Sequence, residues 1–269
     1  MSLSHPALSE YASFARRLAA AARLETLPRF RGGGDVFAKD GPQYDPVTDA
    51  DREAERVMRA MIAQAHPDHG VIGEEFGAER AEAEWRWILD PVDGTRAFVC
   101  GAASWATLIA LERGAAPVLG LIDQPFTDEC WIAAEGRTEY VRHGKAAPCR
   151  TSGETALADA RISTTDPRPA VAYFNEEEAA AFDRIAHATR VARFSFDAYA
   201  YGLLAIGALD LVVETGLQHH DYAALAPVVE GAGGVVTNWR GDPLGTDDRG
   251  EILAAATPAL HEAALKLLS

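Results

Sequence analysis

The pattern of apolar residues changes half-way along the chain, and this change restricts the fold more than any other feature does. Between residues 71 and 143, short apolar runs of period two follow one another closely, which is typical of strands joined by hairpins. These runs are VIGEEF, WRWILD, ATLIALER, PVLGLIDQ, CWIAAE and EYVRH. The stretches between them, such as ERGAAP and AEGRTE, supply the glycine that turns require. This part of the chain therefore predicts a meandering sheet.

From residue 160 onwards, apolar strands alternate with helical segments instead. Strands are predicted at ARISTT, VARFS, DLVVETG, GVVTNW and ILAAA, and helices at about 176–188, DAYAYGLLAIGA, YAALAPVVEGAG and TPALHEAALKLL. Two earlier helices, at about 7–28 and 49–65, precede the first strands, and the segment RGGGDVFAKDGPQYDP between them predicts a loop or mobile hairpin. Helices and sheets in layers indicate an α/β sandwich.

We expect the sandwich to consist of two sub-domains. Residues 1–150 would form an N-terminal α+β sub-domain that carries most of the candidate metal ligands named below. Residues 151–269 would form a C-terminal α/β sub-domain that completes the active site. The join is predicted near residues 145–160, where Pro, Gly, Ser and Thr cluster.

Charge and composition exclude several classes of protein. The chain has 269 residues and a formal net charge of −15, and a surface this acidic repels phosphate backbones, so we expect no nucleic-acid partner. No apolar run approaches the roughly 18 residues of a membrane span, and no signal-peptide pattern is present, so we expect no membrane partner and a cytoplasmic location. The three cysteines form no zinc pattern and are expected to be reduced thiols.

The stretch WILDPVDGTRAF, residues 87–98, places two carboxylates at the end of an apolar strand. Pro91 fixes its own backbone φ and lacks an N–H donor, so we expect the chain to bend here instead of continuing the sheet. The side chains of Asp90 and Asp93 and the carbonyl of Val92 can then face one point. Three hard oxygen ligands suit Mg²⁺ better than zinc. A capped turn without any metal is the alternative.

Three other acidic groups lie at the ends of apolar elements. Glu74 and Glu75 follow a strand, Asp51 lies near the start of the second helix, and Asp221 opens a later helix. Each group alone has an ordinary explanation, either as solvated surface or as a carboxylate that stabilises a helix start. Four such groups together favour a shared site.

The motifs DPVTDAD, GEE, WILDPVDGTRAF and HHDYAALAPVVEGAGG, in this order, resemble the metal-dependent phosphatases of the inositol monophosphatase family. The resemblance covers residues 39 to 240 approximately. It implies the layered αβαβα sandwich of the sugar phosphatase superfamily, a homodimer, and two or three Mg²⁺ ions in each active site.

The resemblance also implies roles for individual residues. The metal ligands would be Glu74, Asp90, the carbonyl of Val92, Asp93 and Asp221. Asp51 and Thr95 would position and deprotonate the attacking water. The turn itself predicts a further contact, since the backbone N–H groups of Gly94 and Thr95 follow it and can hold a phosphate oxygen, particularly if a helix starts there. In such a site, a pair of magnesium ions binds the phosphate, generates hydroxide and stabilises the leaving oxygen.

Other segments resemble the histidinol-phosphate phosphatase branch of that family. They are DGTRAFVCGAASWATLIAL, IDQPFTDECWIA and FDAYAYGLLAIGALDLVVE. Histidinol carries an amine and an imidazole, for which the carboxylates of Asp197 and Glu214 would form an apt pocket. Glu214 also matches a family position that contacts inositol hydroxyls, so it does not discriminate. Ser195 and Phe196 depart from the branch, which usually has two glycines there.

The substrate therefore stays open, with L-histidinol phosphate first and inositol 1-phosphate second. A rival hypothesis is a regulatory family member that binds a partner without catalysis. A nucleotide bisphosphate phosphatase ranks low, because the loop before the second helix offers only Arg31 and Lys39 for a second phosphate. Arg96 is predicted either to contact the substrate or to form a salt bridge. His219 and His220 are expected to be pocket walls or donors to the ligands.

Overall fold

The computed structural model describes residues 5–32, 36–38, 46–169, 173–245 and 249–268. The helices in these residues are α1 (His5–Thr26), α2 (Asp49–Ala65), α3 (Thr95–Cys100), α4 (Glu176–Ala188), α5 (Tyr199–Ala205), α6 (His219–Tyr222), α7 (Leu225–Gly231) and α8 (Pro258–Leu268), and a 3₁₀ turn spans Leu157–Asp159. The strands are β1 (Val36–Ala38), β2 (Pro46–Thr48), β3 (Gly70–Gly73), β4 (Gly77–Glu79), β5 (Trp85–Asp93), β6 (Ala106–Arg113), β7 (Ala116–Gln124), β8 (Glu129–Ala134), β9 (Arg137–Arg142), β10 (Lys145–Pro148), β11 (Arg161–Thr164), β12 (Val191–Phe194), β13 (Leu211–Glu214), β14 (Val235–Thr237) and β15 (Ile252–Ala255).

Two sheets organise the molecule. The large sheet has eight strands in the order β10-β9-β8-β7-β6-β5-β3-β4, and from β5 to β10 it is an antiparallel meander. The small sheet has five strands in the order β12-β11-β13-β15-β14 and is mixed. Strands β1 and β2 form a separate antiparallel pair before α2.

Helices α1 and α2 cover one face of the large sheet. Leu18 on α1 and Met58 on α2 are fully buried in this layer. They share one apolar cluster with Trp87 on β5 and Leu111 on β6. Alternate residues of β5 face opposite sides of the sheet, and the neighbouring Ile88 belongs to the cluster on the other face.

Helices α5 and α7 form a middle layer between the two sheets. Leu204 on α5 and Val228 on α7 lie in one buried cluster with Ile88 of the large sheet and Val212 of the small sheet. A further cluster on the far face of the small sheet contains residues of α4 and α8. Its members include Phe182, Ile185, Leu211, Leu253 and Leu260. The layers are therefore helix, sheet, helix, sheet and helix, which confirms the predicted αβαβα sandwich.

Some predicted elements differ from the structure. The chain does not leave the sheet at Pro91, because β5 continues to Asp93 through an irregular register between Asp90 and Asp93. The helix predicted at 222–233 is two short helices, α6 and α7, and Asp221 is the third residue of α6 rather than its first. Strands β4 and β10 were not predicted.

In sequence, all strands of the large sheet precede residue 149 and all strands of the small sheet follow residue 160. The division into sub-domains 1–150 and 151–269 stays a proposal. Lys39 lies outside the described residues. None of the helices in the described ranges has both the length and the apolar character that a bilayer crossing demands.

Candidate active site

The end of β5 and the start of α3 form one wall of a cavity of about 790 Å³. All but one of the residues predicted to act in the site line this cavity. They are Glu74, Asp90, Val92, Asp93, Gly94, Thr95, Arg96, Asp197, Glu214 and Asp221. The exception is Asp51, which is 1% exposed and does not line the cavity.

Asp90, Asp93 and Asp221 form one carboxylate cluster. One oxygen of each lies within 4.8 Å of the others. Backbone N–H groups hold all three side chains: Val92 N donates to Asp90 Oδ1 at 3.1 Å, Ala198 N to Asp93 Oδ2 at 2.7 Å, and Gln218 N to Asp221 Oδ2 at 2.6 Å. The carboxylates thus come from β5 and α6, two elements far apart in sequence.

Burial and mutual repulsion dominate the electrostatics of this cluster. Burial, followed by the negative charge of Glu74, raises the pKa of Asp90 well above its usual range. Burial, followed by the charges of Asp197 and Asp221, raises the pKa of Asp93 in the same way. Carboxyl groups that share a site favour protonation or a bound cation over several free negative charges.

Asp51, Glu74 and Glu75 form a second cluster, whose oxygens also lie within 4.8 Å of one another. Asp51 is the third residue of α2 and completes a capping box with Thr48, whose N and Oγ1 both donate to Asp51 Oδ2, at 2.9 and 2.5 Å. Burial raises the pKa of Asp51 to about 7, although the two hydrogen bonds from Thr48 act in the opposite direction and lower it. Besides burial, the negative charge of Glu74, in this second cluster, raises the pKa of Asp90 in the first, so the two clusters interact electrostatically.

Glu55, on helix α2, stabilises the turn that carries Glu74 and Glu75. This fully buried carboxylate accepts hydrogen bonds from the backbone N of Glu75 at 2.8 Å and of Phe76 at 3.2 Å, and it pairs with Arg59 at 2.7 Å. The sequence predicted no role for Glu55, because a glutamate in a charged helix segment gives no sign of burial.

Gly94 forms the turn between β5 and α3 in the left-handed region, with φ of 76°. A Cβ at this position would lie 3.0 Å from Cβ and Cγ of Asp197, so glycine allows both the turn and the close approach. The hydroxyl of Thr95 donates to the carbonyl oxygen of Val92 at 3.1 Å. Its own lone pairs stay available to accept a hydrogen bond.

Two further carboxylates, those of Asp197 and Glu214, line the cavity. Asp197 accepts a hydrogen bond from Ser104 Oγ at 3.0 Å, and burial raises its pKa to about 6. Glu214, the last residue of β13, accepts from Thr164 and Thr165, and burial raises its pKa to about 8. The Arg96 guanidinium lies 5.5 Å from the centroid of the Tyr173 ring. Ser104 and the two threonines were not predicted.

The residues before Asp197 depart from the resembled branch, and the backbone shows what is special there. Ser195 has φ of 63° and Asp197 has φ of 49°, a region that glycine adopts with less strain. Ser195 lines the cavity, whereas Phe196 is not among the lining residues and packs against the central apolar cluster. Phe196 therefore does not narrow the cavity.

The two histidines before Asp221 face different ways. His220 lines the cavity, and its Nε2 lies 3.3 Å from Asp221 Oδ1. His219 Nε2 instead lies 2.7 Å from Glu112 Oε1, outside the cavity.

The donor set fits magnesium. The ligand atoms are carboxylate and carbonyl oxygens, which Mg²⁺ prefers over nitrogen and sulfur. Asp90 and Asp93 have raised pKa values because they are buried and because negative charges are crowded here, and a divalent cation would balance those charges.

Comparisons with known proteins agree with this geometry. The profile described as the inositol monophosphatase family matches residues 7–269. Bifunctional phosphatase IMPL2, chloroplastic, of Arabidopsis thaliana is 40% identical over 241 residues, which are 89% of this chain and 67% of that protein. Histidinol-phosphatase of Mycobacterium tuberculosis is 36% identical, with 83% and 86% covered. The structure of an inositol monophosphatase from Zymomonas mobilis is 40% identical, with a TM-score of 0.86 and 97% and 98% of the two chains covered.

The family match and these relatives indicate a phosphomonoesterase hydrolase, of a family that acts on small phosphorylated substrates. The chain belongs to the inositol monophosphatase family, a metal-dependent family of phosphatases.

Proposed function

We propose that this protein is a Mg²⁺-dependent phosphomonoesterase that hydrolyses L-histidinol phosphate to histidinol and phosphate. The observation that carries the metal part is that the three carboxylates of the first cluster, Asp90, Asp93 and Asp221, line one cavity together with Glu74. Its homodimeric state and its cytoplasmic location are further proposals, which rest on the sequence alone.

Two or three Mg²⁺ ions would be held by Glu74, Asp90, the Val92 carbonyl, Asp93 and Asp221. Bound Mg²⁺ would polarise the phosphoryl group, lower the pKa of the attacking water and stabilise the leaving oxygen. The hydrogen bonds from backbone N–H groups fix the orientation of the three aspartates before any substrate arrives, so little reorganisation is required during the reaction.

Asp51 and Thr95 are proposed to position the water and to accept its proton. Burial raises the pKa of Asp51, which makes its carboxylate a stronger base than an exposed one. The hydroxyl group of Thr95 donates a hydrogen bond to the carbonyl oxygen of Val92, so Thr95 Oγ1 can still accept a hydrogen bond from the water. The N–H groups at Gly94 and Thr95, in the turn before α3, would bind a phosphate oxygen.

Two carboxylates of the cavity support an aminated substrate. Asp197 and Glu214 both line the cavity, Asp197 partly buried and Glu214 fully so, and a cationic amine or imidazolium would stabilise their charged forms. Three relatives with 33–36% identity are named histidinol-phosphatase, which agrees with this choice.

Inositol 1-phosphate is the second candidate. The similar solved structure from Zymomonas mobilis is described as an inositol monophosphatase, and a relative from Mesorhizobium japonicum, 32% identical, is named inositol-1-monophosphatase. The carboxylate of Glu214 can accept hydrogen bonds from hydroxyl groups as well as from an amine.

The experiment that separates the two candidates compares kcat/KM for histidinol phosphate and inositol 1-phosphate at saturating Mg²⁺, in the wild type and in Asp197→Ala. We expect the wild type to prefer histidinol phosphate and Asp197→Ala to lose activity mainly on that substrate. A wild-type preference for inositol 1-phosphate would overturn the substrate proposal. An equal loss on both substrates would exclude an amine contact at Asp197.

A further inference from the structure

Glu112 is a buried carboxylate that lies outside the active-site cavity. It is 1% exposed and stands directly opposite Arg86 in the pairing of β6 with β5. Arg86 Nη2 donates to Glu112 Oε2 at 2.7 Å, and His219 Nε2 lies 2.7 Å from the other oxygen, Oε1. Because a carboxylate only accepts hydrogen bonds, His219 donates this one.

This contact joins the two elements that carry the first carboxylate cluster. Arg86 belongs to β5, which ends in Asp90 and Asp93, and His219 opens α6, which carries Asp221. The chain of hydrogen bonds from Arg86 through Glu112 to His219 therefore connects β5 to α6 on the side away from the substrate.

Helix α6 has only four residues and does not hold its position by itself. It separates two cavities: His220 lines the active-site cavity, whereas His219 and Glu112 line a second cavity of about 890 Å³. Within this single helical turn, His220 therefore faces the active-site cavity, and the adjacent His219 contacts the buried carboxylate of Glu112 on the large sheet.

We propose that Glu112 and His219 are positioning residues, which fix α6 on the sheet and so place the Asp221 carboxylate for metal binding. This inference rests on the proposed function, in which Asp221 is a magnesium ligand. Tyr222 also holds α6, through its buried ring and its hydrogen bond to Gly245 O at 2.9 Å. The contact between Glu112 and His219 adds the link from α6 to the sheet that carries Asp90 and Asp93.

The test measures Mg²⁺ binding by calorimetry, without substrate, in the wild type, His219→Phe and His219→Gln. Phenylalanine keeps a ring beside Tyr222 but cannot donate to Glu112, whereas the glutamine amide nitrogen can stand in for Nε2. We expect His219→Phe to raise the Mg²⁺ dissociation constant by about tenfold or more, the range found when groups that support metal ligands are removed. Glutamine should restore binding to near the wild-type value.

Kinetics separate positioning from a general loss of structure. In His219→Phe we expect the Mg²⁺ concentration for half-maximal activity to rise, while KM for the phosphate ester at saturating Mg²⁺ stays close to that of the wild type. Arg161→Gln is the matched control, because it breaks another ion pair to a buried carboxylate, Asp210, at the opposite end of β13 from the cavity. It should lower Tm without changing Mg²⁺ binding.

Wild-type affinity for Mg²⁺ in His219→Phe would overturn the positioning role and leave the proposed function intact. Equal weakening in His219→Phe and His219→Gln would overturn it as well, since the restored donor would then have no effect. Absence of Mg²⁺ binding in the wild type itself would contradict the proposed function, and the inference would fail with it.

Discussion

Asp90, Asp93 and Asp221 each accept a hydrogen bond from a backbone N–H group. This arrangement fixes each carboxylate and still leaves its negative charge available to a cation. The motif residues could be predicted from sequence because each is part of a local pattern. Glu55, Ser104 and Glu112 could not, because their partners lie in other elements and nothing near them in the sequence records the contact.

Asp93→Asn should abolish turnover while the fold survives. The amide oxygen can still accept the hydrogen bond from Ala198 N, and the substitution removes one charge from a crowded buried cluster. Phosphate release should fall by at least about 100-fold, since losing a group that merely supports a metal ligand already costs 10–100-fold in affinity. Thermal unfolding with and without Mg²⁺ gives the second measurement, and Mg²⁺ should no longer raise Tm.

Asp123→Asn is the control for that substitution. Asp123 is a buried aspartate, 1% exposed, but it is held by Arg23 at 2.7 Å and lies outside the cavity. It should lower Tm and keep the response to Mg²⁺. Near-normal turnover in Asp93→Asn would refute the assignment of Asp93 as a ligand.

Thr95→Ala should lower kcat more than it raises KM, because its hydroxyl is proposed to position the water and not to bind the ground-state substrate. A decrease of about 100-fold corresponds to the lower end of what a positioned proton-transfer group contributes. Steady-state kinetics of Thr95→Ala and Thr95→Ser provide the comparison, and serine should retain most of the activity. If only KM changed, the water-positioning role would be wrong.

At the scale of elements, sequence patterns predicted α2 and α4 with the observed bounds, Asp49–Ala65 and Glu176–Ala188. Each is preceded by a residue whose side chain caps the helix, Thr48 for α2 and Asn175 for α4. The sequence beside each helix therefore indicates where it begins. The end of β5 was missed because an irregular register accommodates Pro91 within the sheet. Strands β4 and β10 are exposed throughout and have no alternating apolar pattern to reveal them.

The turn at Gly94 gives a test with a matched control elsewhere in the chain. Gly94→Ala and Gly114→Ala both place a side chain in the left-handed region, with φ of 76° and 65°, at a cost of about 1–2 kcal/mol each. Only the first also forces a Cβ against Asp197, whereas no atom lies within 4 Å of a Cβ at Gly114. Similar losses of Tm are expected in both variants, with a large loss of phosphate release confined to Gly94→Ala. Equal activity in the two would mean that the close approach to Asp197 has no functional role.

His69, the residue directly before β3, should make the free energy of unfolding depend on pH. Burial lowers the pKa of His69 to about 4, and its Nδ1 accepts a hydrogen bond from Trp87 Nε1 at 3.2 Å. The unfolded chain, in which the pKa of histidine is about 6.5, binds the proton first as pH falls. The contribution of neutral His69 is therefore fully present above about pH 6.5 and is lost progressively towards pH 4.

His69→Asn removes this titration and keeps an acceptor for the indole N–H of Trp87. Thermal unfolding of both proteins between pH 7 and pH 4.5 should show a smaller decrease of Tm in the variant. The same decrease in both would show that His69 does not protonate on unfolding in this range.

At the scale of the whole molecule, two sheets and three helical layers bring distant residues to one cavity. The cluster between the sheets contains side chains from both halves of the chain, such as Trp131 and Tyr201. The α/β class followed from the order of strands and helices, and the five-layer topology followed from the family resemblance. Periodicity alone could not predict the five-layer topology. The period of the apolar residues indicates which face of a helix or strand is apolar, but not which other element covers that face.

The central claim is that this assembly hydrolyses a phosphate monoester with the help of Mg²⁺. The most direct test is phosphate release from histidinol phosphate by the wild type, measured across a Mg²⁺ titration that starts in the presence of a chelator. The account predicts no release with the chelator and a saturable rise as Mg²⁺ is added. A rate that does not depend on Mg²⁺, or no release from either histidinol phosphate or inositol 1-phosphate at saturating Mg²⁺, would contradict it.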